Sequence, residues 1–182
     1  MSAIPVNADN TTQSKAEKIQ LLIMDVDGVL SDGKVYYSNN GDELKSFNIK
    51  DGLGIKLLHK NNIKTAIITG RHSAIVERRA NELGITHVYQ GAQDKRAAFD
   101  KILNDENLTA EQVAHVGDDL PDLPLMKKAG LGIAVADANA FVRQNADWVT
   151  STIGGAGAVR EIAELLLSSQ NLLEQTYNSY LQ

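Results

Sequence analysis

Short apolar runs bounded by polar or turn residues recur along the chain: Ile19 to Met24, Ile63 to Thr69, His87 to Gln90, Val113 to Gly117, Leu131 to Ala136 and Asp147 to Thr150. Apolar at successive positions and brief, they read as strands buried on both faces. Between them the apolar spacing becomes helical. Asp51 to Lys60 sets Leu53, Leu57 and Leu58 at that spacing, with Asp51 as the expected N-cap. Ser73 to Leu83 opens on a capping serine and stops at Gly84; Asp94 to Leu103, Asp119 to Lys128 and Gly157 to Leu167 follow. Thr109 and Gln112 have capping-box spacing. Strands alternating with helices predict an α/β fold, a Rossmann-like doubly wound parallel sheet covered on both faces. In such sheets ligands bind beyond the carboxyl ends of the strands. Polar residues that directly follow a strand are therefore the first place to look for chemistry.

One stretch breaks the alternation. Val35, Tyr36 and Tyr37 precede Asn39-Asn40-Gly41, and Leu44, Phe47 and Ile49 follow. An Asn-Gly pair between such runs predicts a β-hairpin, projecting as a flap after the first strand. Residues 1–18 are polar and read as a disordered arm, 19–168 as a single domain and 169–182 as a C-terminal tail.

The length, 182 residues with 43% hydrophobic and 23% charged, suits one domain with a sizeable core. A net charge of -5 argues against nucleic acid as a partner, because phosphate-backbone binding needs a basic surface. No apolar run approaches the roughly 20 residues of a membrane span. The chain has no cysteine, which excludes thiolate metal sites and thiol chemistry and fits a reducing compartment. The expectation is a cytoplasmic protein acting on a small molecule.

Four predicted strand or helix boundaries carry useful groups: Asp25 and Asp27, Thr69-Gly70-Arg71, Asp94-Lys95, and Gly117-Asp118-Asp119. Each alone has an ordinary explanation as a turn, a cap or a solvated charge; their order along the chain gives them weight. Carboxylates from two strands, Asp25 and Asp118, can hold Mg²⁺, which prefers oxygen ligands, with Asp27 adding its main-chain carbonyl. Asp25 can then attack a metal-bound phosphate and form an aspartyl-phosphate. Asp27 can protonate the leaving alcohol and afterwards deprotonate water. Lys95 and the Thr69 hydroxyl can neutralise the phosphoryl oxygens.

The segments Asp25-Val-Asp-Gly28, Thr69, Lys95 and Gly117-Asp118-Asp119 resemble the four motifs of the haloacid dehalogenase-like superfamily. The resemblance implies these same roles, with Asp119 or Asp122 supporting the metal. Too few residues separate the motifs for an inserted cap domain. The hairpin, Asn48-Ile-Lys-Asp-Gly52, the Thr69-Gly70-Arg71 turn and Gly154-Gly155-Ala-Gly157-Ala-Val-Arg160-Glu161 are similar to a capless family, the 3-deoxy-D-manno-octulosonate 8-phosphate (KDO 8-phosphate) phosphatases. That resemblance implies a homotetramer in which neighbouring hairpins and tails complete the sites, and a step in lipopolysaccharide sugar synthesis. The substrate has a carboxylate besides its phosphate. Lys50, Lys56, Arg71 and Arg79 are cations available to it, arginine in bidentate fashion. Asn48, Ile49, Lys50, Asp51 and Gly52 line the loop expected to meet sugar hydroxyls, while Asp27 and Lys95 contact the phosphate end. Arg160 is expected to reach a neighbour's site, and Tyr177 and Tyr180 either dock on another subunit or are disordered. Competing readings are a phosphomutase, a phosphatase of a sialic-type nine-carbon acid-sugar phosphate, and a non-catalytic regulatory module.

Overall fold

The computed structural model describes residues 8–181. Six parallel strands form one sheet: β1 (Leu21–Met24), β4 (Lys64–Ile68), β5 (His87–Tyr89), β6 (Val113–Gly117), β7 (Leu131–Ala134) and β8 (Trp148–Val149), in the spatial order β5-β4-β1-β6-β7-β8. The chain reverses its direction of growth at β1, with β4 on one side and β6 on the other. That is the switch point at which an open sheet leaves a crevice. All six strands are where the apolar runs put them, each trimmed by a residue or more except β6.

Alternation along the strands distributes side chains to two faces. Leu22, Met24, Ile67, Ala114 and Val116 pack beneath α2 (Ile49–Lys60), α3 (Ala74–Leu83) and α7 (Ala158–Ser169), in a cluster with Ile55, Leu58, Val76, Ile162 and Leu166. Leu21, Ile23, Ala66, Ile68 and Val113 pack on the other side with Phe99 and Ile102 of α4 (Lys95–Glu106) and Leu125 of α5 (Leu123–Lys128). The hairpin forms as β2 (Tyr36–Tyr37) and β3 (Glu43–Leu44), pairing Tyr36 with Leu44 and Tyr37 with Glu43 around the Asn-Gly turn. No cap domain interrupts the described residues.

Several expectations are corrected. Part of the supposed disordered arm is ordered: α1 (Asn10–Ala16) is capped by Asp9, buries Ala16 and Thr12, and is held by Gln170 Nε2 on the Ala16 and Ile19 carbonyls (3.2 and 2.9 Å). Residues 1–7 of that arm lie outside the described residues. A further helix, α6 (Ala140–Asn145), fills a stretch with too little apolar periodicity to announce it. In the tail, α8 (Leu173–Asn178) docks on its own chain, burying Leu173 and Thr176, with Asn61 Nδ2 donating to Thr176 Oγ1 at 3.0 Å. Tyr177 packs there too, its hydroxyl 2.5 Å from Glu164 Oε1. Arg160 joins that group through Glu164 Oε1 (2.6 Å) and the Tyr177 hydroxyl (3.3 Å).

The N-cap of α2 is Asn48, whose Oδ1 accepts from the Lys50 amide at 2.8 Å. Asp51 lies inside the helix, buried, and its carboxylate accepts from the amides of Gly157 (3.2 Å) and Arg160 (2.9 Å). It therefore caps α7, whose own N-cap residue is Gly157 and makes no side-chain cap bond. Four amides at a helix start lack internal partners, and a carboxylate from the adjoining helix satisfies two of these. Asp51→Ala should lower stability by about 2 kcal/mol, measured as a lower denaturant midpoint at unchanged m-value. An unaltered midpoint would remove Asp51 from this role.

Candidate active site

The carboxyl ends of β1, β4 and β6 meet where the chain reverses. Asp25 follows β1 directly, and its amide donates to the Val116 carbonyl of β6 at 3.1 Å. Its carboxylate therefore stands at the sheet edge. Asp118 follows β6, and Thr69, buried, follows β4. Lys95 is the first residue of α4, set by its N-cap Asp94, whose Oδ1 accepts from the Arg96 amide at 3.0 Å. From there the buried Lys95 ammonium reaches both Asp25 Oδ1 and Asp122 Oδ1, each at 2.7 Å.

Asp122 ends a short 3-10 turn, Leu120–Asp122, that begins on Asp119. Its Oδ2 accepts from the amides of Asp118 (3.2 Å) and Asp119 (3.4 Å), and its Oδ1 lies 3.4 Å from Nε2 of the buried His115. It thus holds the loop that carries Asp118 and the lysine that touches Asp25. Of Asp119 and Asp122, it is Asp122 whose bonds tie it into the carboxylate cluster. The Asp119 carboxylate is occupied with the Leu120 amide at 2.8 Å.

Oxygens of Asp25, Asp118 and Asp122 all lie within 4.8 Å of one another. Burial pushes Asp25 up to about 7, with the Asp122 charge adding to it and Lys95 opposing. Burial likewise raises Asp118 to about 7, assisted by Asp122 and Asp119. Burial acts on Asp122 in the same direction, but contacts with His115 and Lys95 outweigh it and hold the group down at about 2. Lys95 is desolvated too, yet Asp25 and Asp122 keep its ammonium above the ordinary lysine range. The site is short of positive charge between Asp25 and Asp118, and its donors are hard oxygens. That fits a divalent cation such as Mg²⁺. The loop that follows Asp25 is drawn tight against Asp118: Gly28 has φ +91°, and a Cβ there would stand 2.2 Å from Asp118 Oδ2. Gly154 supports this loop from below, so close that a Cβ would sit 1.6 Å from the Gly28 carbonyl oxygen, and Gly155 N donates to the Val29 carbonyl at 2.8 Å.

Asp27 points to the hairpin. Its Oδ1 lies 2.5 Å from Lys45 Nζ and 3.4 Å from Ser31 Oγ, and its Oδ2 lies 3.9 Å from Arg71 Nε. Arg71 also binds Glu43 Oε1 of the hairpin at 3.1 Å. Lys45 is not one of the cations that the sequence motifs point to. The only available signal, strand alternation, pointed the wrong way: Leu44 is 61% exposed, while the Lys45 side chain is 2% exposed.

The expected sugar-contact residues divide. Arg71 stands beside Asp27. Arg79 lies against Gly52, where a Cβ would be 2.6 Å from its Nη2; it pairs with Glu82 (3.3 Å) and its guanidinium lies 5.9 Å from the Phe47 ring centroid. Ile49 is 83% exposed, and Lys50 and Lys56 are exposed on α2. Among the described residues, none of the three has a side-chain bond to the carboxylate cluster. Asn48 uses its Oδ1 as a cap. The Asp51 carboxylate, taken by the α7 amides, is withdrawn from the set facing a sugar.

Residues 86–162 match the model of the haloacid dehalogenase-like hydrolase family. Over 94% of its length the chain is 53% identical to the KDO 8-phosphate phosphatase KdsC of Escherichia coli, spanning 90% of that protein. It belongs to the KDO 8-phosphate phosphatase family. Its fold matches the crystal structure of the Yersinia pestis family member with a TM-score of 0.90 at 50% identity, covering 91% of this chain and 89% of that one. The Moraxella catarrhalis KDO 8-phosphate phosphatase, solved in complex with magnesium ion, phosphate ion and KDO, matches with a TM-score of 0.91 at 44% identity, over 95% of this chain and 99% of that one.

The raised carboxyls make metal binding and stability pH-dependent. A folded-state pKa above the unfolded value gives stability that is present at low pH and lost as pH rises through about 7. The metal-free family member should therefore melt lower at about pH 8 than its remaining groups would dictate, and Asp118→Asn should flatten that decline. Added Mg²⁺ should raise the wild-type melting temperature more at about pH 8 than at about pH 5.5. Equal slopes in wild type and variant would refute the assignment of this carboxylate.

Proposed function

We propose that this chain hydrolyses KDO 8-phosphate to KDO and inorganic phosphate, with Mg²⁺, as a cytoplasmic step in lipopolysaccharide sugar synthesis. The observation that carries the reading is the buried Asp25–Lys95–Asp122 chain beside Asp118 at the sheet's switch point, in a chain 53% identical to a KDO 8-phosphate phosphatase over nearly its whole length. The Asp25 and Asp118 carboxylates and the Asp27 main-chain carbonyl would hold the metal. When bound, it supplies charge neutralisation for the phosphoryl oxygens.

Lys95 takes Asp25 Oδ1, and we assign the attack to Oδ2. A bond forms from this oxygen to phosphorus as the bond from phosphorus to the sugar oxygen breaks. The leaving oxygen takes a proton from the Asp27 carboxyl and departs as an alcohol. Water then attacks the aspartyl-phosphate, gives its proton to Asp27, and releases phosphate with Asp25 restored. Lys95 and the Thr69 hydroxyl offset charge on the transferring group. Arg71 is the cation best placed for the sugar's carboxylate, from its position beside Asp27. Asn48, Ile49, Lys50, Gly52, Lys56 and Arg79 are the further sugar contacts of this reading.

The same reading makes the active particle a homotetramer, with hairpins of neighbouring subunits closing sites that lack a cap. Its support is an apolar surface on a two-stranded ribbon with open edges and on the start of α2 beside it in the chain: Tyr37 is 71% exposed, with Val35, Tyr36 and Leu44 exposed on the hairpin and Ile49 and Leu53 on the helix.

Asp25→Asn should abolish phosphate release from KDO 8-phosphate, with an unchanged circular dichroism spectrum. Residual activity above about one part in a thousand of wild type would sink the nucleophile assignment. In a panel of sugar phosphates, KDO 8-phosphate should stand well above the rest, and weak even turnover would count against it. Light scattering on the active enzyme should give four chains per particle; a fully active monomer would overturn subunit closure.

A further inference from the structure

The hairpin carries a feature that its own folding does not require. A two-stranded ribbon on the surface has no need of a buried lysine, and desolvating an ammonium costs several kcal/mol. Yet the side chain of Lys45, just past β3, is only 2% exposed. Its ammonium is compensated on both sides, by Asp27 Oδ1 at 2.5 Å and Glu43 Oε1 at 3.6 Å. Glu43 Oε1 also holds Arg71 Nη2 at 3.1 Å, so the two cations and two carboxylates close into a quartet across the mouth of the site. Within it the two oxygens of Asp27 are unequal. Oδ1 takes Lys45 and the Ser31 hydroxyl, while among the described residues the cation facing Oδ2 is Arg71, its Nε at 3.9 Å, beyond hydrogen-bond length.

We propose that Lys45 is a positioning residue for the acid–base step: by anchoring Asp27 Oδ1 to the hairpin, it leaves Oδ2 as the oxygen that protonates the leaving alcohol and later receives the proton of water. This rests on the role of Asp27 proposed above. It ties seating of the flap to catalysis, because Lys45 reaches Asp27 only while the hairpin lies over the site.

The test compares two phosphate monoesters in single-turnover experiments. The alcohol of KDO 8-phosphate must be protonated to leave; p-nitrophenolate leaves without a proton. Lys45→Met should slow the cleavage step of KDO 8-phosphate by about 10- to 100-fold, with KM nearly unchanged, and leave the p-nitrophenolate burst within about threefold of wild type. Lys45→Arg should restore most of the loss. Melting curves check that each variant is folded, and Lys45→Gln carries the same test should the methionine variant not fold. Equal slowing of both esters, or a raised KM at unchanged kcat, would overturn the proposal. Asp27→Asn separates the two levels of inference. If it lacks the leaving-group-selective loss, the acid–base reading of Asp27 fails. If it shows that loss and the Lys45 variants do not, only the Lys45 proposal fails.

Discussion

Three carboxylates held within 4.8 Å of one another, with one lysine ammonium bonded to two of them, form an arrangement that would repel itself apart in a loose structure. Much of the surrounding fold serves to hold it. Asp122 is kept ionised by Lys95 and His115, and in turn orders the amides of Asp118 and Asp119. Burial, with too little compensating charge beside it, pushes Asp25 and Asp118 up to about 7. The imbalance lies between those two residues, so the place for a divalent cation follows from the charge distribution as well as from the donor atoms.

Holding this arrangement engages parts of the chain far apart in sequence. The loop from Asp27 to Val29 rests on Gly154 and Gly155, and the helix that follows them, α7, is capped by Asp51 from α2. The hairpin precedes α2 and sends Lys45 to Asp27. This loop is thus braced from beneath by the segment that leads into α7 and gripped from above by the flap. A residue such as Asp51, three positions from the expected sugar-binding asparagine, acts on the site through helix packing.

The flap inverts the usual logic of a strand. In an ordinary half-buried strand the apolar residues turn inward. Here Leu44 turns outward and Lys45 inward, because the surface beneath the hairpin is charged and the surface above it is open. Tyr37 and Ile49 share that outward exposure. The same inversion that exposes apolar side chains delivers the ammonium to Asp27.

The six strands, their parallel pairing and the convergence of Asp25, Thr69, Lys95 and Asp118 were legible in the chain itself. Local periodicity determines strands and helices, and strand order with right-handed crossovers brings the polar residues after β1, β4 and β6 to one edge. The hairpin was legible for the same reason, through its Asn-Gly turn. What was not legible had no local signal. Helices α1 and α8 have short or mixed apolar patterns and exist because α7 supplies a surface on which Ala16 and Leu173 are buried. Asp51 reads as the cap of its own helix, and only the packing of α2 on α7 makes it the cap of another. Lys45 reads as a solvated strand residue until the fold sets Asp27 opposite it. In each case the deciding partner is remote in sequence, and a charge or a short helix takes its meaning from what the tertiary structure places against it.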